Sequence, residues 1–92
     1  MCCKKGEWMT IIGVENEEDL EHLINVCEDI KNVDREFRYA VYPSKFEKYR
    51  AIVIIFSKDR DTAYKRGVWF SSKVQLPSGK KLLFWVKRRK KR

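Results

Sequence analysis

The sequence predicts a small α+β domain, an antiparallel sheet with its helices on one face. Three observations carry that expectation. Tyr49 to Phe56 (Tyr-Arg-Ala-Ile-Val-Ile-Ile-Phe) is the longest apolar run, β-branched from Ile52 to Ile55. Apolar on both faces, it belongs at the centre of a sheet. Leu20, Leu23, Ile24, Cys27 and Ile30 recur at helical spacing. Phe37 to Tyr42 and Leu82 to Lys87 alternate with a period of two, as half-buried strands do.

The elements follow in order. Trp8 to Val14 reads as the first strand, with Gly13 near its end. Asn16 is placed as a helix N-cap, and Glu17, Glu18, Asp19 and Glu21 then complement the positive end of the helix dipole. An amphipathic helix over Glu17 to about Lys31 follows, its outer face carrying Glu18, Glu21, His22, Asn25, Glu28 and Asp29. Phe37 to Tyr42 is the second strand, broken by Pro43-Ser44. A basic connection with Lys45, Lys48 and Arg50 leads into the central strand. Ser57 to Arg66 suits a short helix, capped by Ser57 or Asp59, with Ala63 inward. Val68 to Ser72 reads either as its continuation or as extended chain. Lys73 to Leu76 is expected to be a strand, turned by Pro77-Ser78-Gly79 into a partner strand over Lys81 to Lys87, which would make an additional C-terminal hairpin.

Ninety-two residues make one domain, expected over 7–87, between a flexible start (1–6) and a disordered basic tail (88–92). Cys2, Cys3 and Cys27 form no disulfide framework, and a reducing, cytoplasmic setting is expected. Nothing in the sequence approaches a transmembrane span or a secretory signal. Cys2-Cys3 beside Lys4-Lys5 is a weak candidate for N-terminal acylation, with an unmodified terminus the favoured alternative.

The charge is strongly segregated. Residues 1–36 carry ten acids and four bases, a net −6, and residues 37–92 carry three acids and seventeen bases, a net +14. An electropositive half attracts polyanions. Its bases are interleaved with aromatics: Arg38 with Tyr42, Trp85 with Lys87, and Trp69 with Lys73 if that stretch is extended. Bases neutralise phosphates, and flat rings stack on exposed nucleobases. The expected function is therefore non-enzymatic binding of nucleic acid, DNA or RNA, with little sequence preference. The residues expected to carry it are Arg38, Tyr42, Lys45, Lys48, Arg50, Lys65, Arg66, Lys73, Lys80, Lys81, Trp85, Lys87, Arg88, Arg89, Lys90, Lys91 and Arg92.

Catalytic signatures are scarce. His22, the lone histidine, sits on the acidic helix face, and no metal-ligand spacing or glycine-rich phosphate loop is present. No cofactor is expected. Glu36-x-Arg38 resembles the acidic-basic pairs of metal-dependent nucleases, with Asp34 or Asp59 as a further acid, which keeps a nuclease as one alternative. A homodimeric interaction module docking on an acidic protein is the other, since rings on a half-covered sheet also serve protein interfaces.

The order β-α-β-β-α-β is that of the ferredoxin-like superfold, and it resembles RNA-recognition-motif domains in layout. That family's third strand has a basic-Gly-aromatic pattern. Tyr49 to Phe56 keeps the final aromatic and lacks the glycine and the stacking rings. No binding residue is carried over from that family.

Overall fold

A computed structural model describes residues 8–45 and 47–89. Six elements appear in the order β1 (Trp8–Val14), α1 (Glu17–Val33), β2 (Arg38–Pro43), β3 (Ala51–Ser57), α2 (Arg60–Lys73) and β4 (Leu83–Arg88). The strands form one sheet in the order β2-β3-β1-β4, and every neighbouring pair is antiparallel. This is the ferredoxin-like arrangement, in which each helix links two strands that flank a third.

β3 owes its inner position to its residues. Val53 and Ile55 are fully buried on the helix side, and Ile54 is 8% exposed on the other. The core on the helix side joins Ile12, Val14, Val53 and Ile55 of the sheet to Leu23 and Cys27 of α1 and Phe70 of α2. Thr10, also fully buried, donates its hydroxyl to the Ala63 carbonyl at 2.6 Å and ties β1 to α2.

α1 starts where the sequence places it. The Asn16 side chain accepts from the Asp19 amide at 2.9 Å. Asp19 is 1% exposed and reaches further: its carboxylate accepts from the Ser78 amide at 3.1 Å and from the Ser78 hydroxyl at 2.7 Å. The α2–β4 connection is thereby pinned to the start of α1.

That connection corrects the expected C-terminal hairpin. Residues 68–72 are helical, α2 runs through Lys73, and 74–76 form no strand. Leu83–Arg88 pairs with β1 instead. The reason is a helical stripe that competes with the alternation. Ala63, Gly67, Phe70 and Val74 are all buried at spacings of three and four. Gly67 stays inside the helix because the Phe84 ring of β4 lies against it; a Cβ there would meet that ring at 2.2 Å. Val74 and Leu82 then anchor the connection in the core, with Gly79 turning it at φ 83°. α2 is capped by Asp59, whose side chain accepts from the Thr62 amide at 2.7 Å.

The expected flexibility and acylation of 1–6, and the end of the basic tail at Lys90, Lys91 and Arg92, lie outside the described residues. No described helix is long and apolar enough to cross a membrane.

Candidate nucleic-acid interface

Both helices cover the same side of the sheet, so the other side is free of helix. The register arranges its residues in three rows across β2, β3, β1 and β4. One end row is Tyr42, Ile52, Gly13 and Leu83; the middle row is Ala40, Ile54, Ile11 and Trp85; the other end row is Arg38, Phe56, Met9 and Lys87. Strand spacing and rise make this a patch of about 14 by 13 Å. None of these positions is acidic.

The rows differ in chemistry. The first is apolar, with Tyr42 49% and Leu83 40% exposed. Tyr49, from the β2–β3 connection, lays its ring over Gly13, where a Cβ would fall 2.6 Å from Cε1. The same ring stands 6.1 Å from that of Trp85, and the Lys48 ammonium lies 5.5 Å from its centroid. The last row places bases at both ends, Arg38 on β2 and Lys87 on β4. The Arg89 guanidinium sits 5.0 Å from the centre of the Phe56 ring. Among the described residues no acid is ion-paired with Arg38, Lys87 or Arg89.

Of the bases expected at the interface, several stand elsewhere. Arg50 is ion-paired with Glu17. Lys80 contacts Glu15 at 2.7 Å, and that hydrogen bond raises its pKa. Lys65 pairs with Asp61 at 3.2 Å along α2, and Lys73 ends that helix. Lys45 and Lys81 are exposed in connections. Arg88 lies in β4 with Trp8 of β1 opposite. Trp69 stands on α2 with Lys73, away from the helix-free face. The acidic side chains Glu18, Glu21, Glu28 and Asp29 are exposed on α1, on the helix side of the sheet.

A cavity of about 470 Å³ opens at one corner, where the α1–β2 connection meets the end of β3 and the start of α2. Arg38 and Phe56, cross-strand partners in the basic end row, also line it. Arg66 enters from α2. Its Nη2 is 3.5 Å from Asp34 Oδ2, and its guanidinium lies 4.9 Å from the Phe37 ring centre. Asp34, Glu36 and Arg38, the acidic-basic set noted in the sequence, share this cavity, while Asp59 is spent on the α2 cap. Thr62, through its amide and its hydroxyl, holds the Asp59 carboxyl below its usual range. Among the described residues no group of three or more His, Cys, Asp or Glu is placed to hold a metal ion.

Sequence reasoning did not single out Tyr49 and Phe56 as site residues, nor Arg35 and Lys58 of the corner cavity. Phe56 was legible only as part of an apolar strand, because β3 is apolar on both faces and nothing in its pattern marks the side that stays open. No protein-family profile, curated protein or solved structure matches this chain.

Proposed function

We propose that this domain binds single-stranded nucleic acid, DNA or RNA, on the helix-free face of its sheet. The observation that carries the reading is the composition of that face: rings of Tyr42, Tyr49, Phe56 and Trp85, the bases Arg38, Lys87 and Arg89, and no acid among the described residues of its three rows. Bases of an unpaired strand stack on the rings, and the flanking cations neutralise its phosphates. A duplex hides the flat faces of its bases, so it gains the electrostatic part only. The acidic α1 lies across the sheet and repels a polyanion from that side. Phosphate contacts and stacking carry little base information, so sequence preference is weak.

Titration of fluorescent oligonucleotides of mixed sequence at low salt tests this. Single strands should bind more tightly than a duplex of equal length, and affinity should fall with salt. Undetectable binding of DNA and RNA alike would end the proposal. The apolar end row, with Tyr42 and Leu83 exposed at its two ends, favours a second reading, a homodimer closed through the same face. Light scattering separates the two, since a tight dimer without nucleic-acid affinity is the outcome expected only of the second.

A further inference from the structure

The corner cavity brings together more positive charge than an internal phosphate of a strand requires. Arg35, Arg38, Lys58 and Arg66 line it against Asp34 and Glu36, a net charge of +2. Two of its polar atoms are buried without a hydrogen-bond partner among the described residues, the Ser57 hydroxyl and Arg66 Nε. Ser57 is only 6% exposed. Buried polar groups are nearly always satisfied, and an unpaired one calls for an explanation.

We infer that this cavity receives the terminal nucleotide of a bound strand and recognises its terminal phosphate. The inference rests on the binding mode proposed above. Three features point to a strand end. First, a phosphate monoester carries about −1.5 to −2 at neutral pH, which matches the cavity charge, whereas a phosphodiester carries a single charge. Second, a volume of about 470 Å³ lies within the range of sites that hold whole small molecules, about 300–1,000 Å³, and leaves space for sugar and base beside the phosphate. Third, the cavity is continuous with the platform. Arg38 and Phe56 serve both, so a strand crossing the face reaches the cavity at the edge of the sheet. Phosphate oxygens accept hydrogen bonds, and the exposed side chains of Arg35, Arg38 and Lys58 in the lining are donors for them.

The test uses short single strands of one sequence that carry a 5′-phosphate, a 3′-phosphate or only hydroxyl ends, each competing with a labelled strand for the full-length protein. One phosphorylated form should bind about tenfold more tightly than the hydroxyl form, as expected for a charge-assisted contact. Arg35→Gln combined with Lys58→Gln, both at exposed positions outside the three-row platform, should abolish that preference and weaken the hydroxyl strand much less. Circular dichroism confirms that the variant is folded; Arg35→Lys with Lys58→Arg, which keeps the charge, should restore most of the preference. Equal affinity for all three ends overturns the inference and leaves the proposed function standing. Absence of binding by every strand overturns both. A free nucleoside monophosphate that competes as well as the phosphorylated strand also overturns the strand-end assignment, because the platform would then contribute nothing.

Discussion

The Tyr49 ring covers Gly13 so closely that the ring occupies the place of a side chain at that position. Gly13 lies opposite Ile52 and Leu83 in the end row of the helix-free face. Its missing Cβ lets a loop residue become part of the sheet surface and stand beside Trp85. Gly13→Ala should therefore expel the ring. The strand itself accepts alanine, so the expected result is a folded protein destabilised by about 1–3 kcal/mol, the usual cost of overpacking. Thermal unfolding measures the loss. Single-strand affinity should drop with it, as it should for Tyr49→Ala.

Asp19 is the one buried carboxylate among the described residues, and it faces Ser78 rather than a base. Asp19→Ala should leave the Ser78 amide and hydroxyl without their acceptor and release the connection from α2 to β4. Loss of hydrogen bonds to a charged group costs about 1.5–3 kcal/mol each at most, and less where water can replace the partner. A fall of roughly 2–3 kcal/mol in denaturant unfolding is expected. Faster amide exchange across 74–82 should accompany it, with the centre of the sheet still protected.

Two groups set an alkaline limit. Burial, helped by the neighbouring Glu28 charge, pushes the Cys27 thiol from 9.0 up to about 12. Tyr39 donates its hydroxyl to Glu28, and that bond, with lesser help from burial, raises its pKa from 10.0 to about 12. In both cases the unfolded chain gives up a proton at a pH where the folded chain keeps it. Their contribution is whole below pH 9 and is lost as pH rises from 9 towards 12. Stability measured by denaturant titration should decline through that window, and Tyr39→Phe should make the decline shallower. With Cys2 and Cys3 replaced by serine, Cys27 should resist alkylation at pH 8 until the protein is unfolded.

Trp85 and the bases at the two ends of the basic row should separate stacking from charge. Trp85→Ala should weaken single-strand binding by about 1–3 kcal/mol and leave the salt dependence nearly unchanged. Arg38→Gln and Lys87→Gln should each lower the slope of log affinity against log salt by about 0.7 for single strands. Their losses should be similar across sequences. A variant of Trp85 that changes only the slope would contradict the stacking assignment.

Much of this architecture was legible in the chain. Local signals suffice where one pattern has no competitor. Asn16 followed by Glu17, Glu18 and Asp19 marks the start of α1, and the run from Ala51 to Phe56 is apolar on both sides because it lies inside the sheet. The sequence leaves Val68 to Ser72 open and misleads over Lys73 to Leu76, because the stretch carries two periods at once. An alternating pattern suggests a strand, while Ala63, Gly67, Phe70 and Val74 make a helical stripe. What decides between them is remote in sequence: the Phe84 ring needs the space that Gly67 leaves. The candidate site divides in the same way. Charge segregation and the pairing of Arg38 with Tyr42 and of Trp85 with Lys87 are properties of the sequence, since residues two or four apart on a strand share a face. That these two pairs, 43 residues or more apart in the chain, lie on one surface with Tyr49 and Phe56 follows only from the strand order. Cross-strand neighbours are set by which strands pair, and that choice is made by burial of the whole sheet rather than by any local stretch.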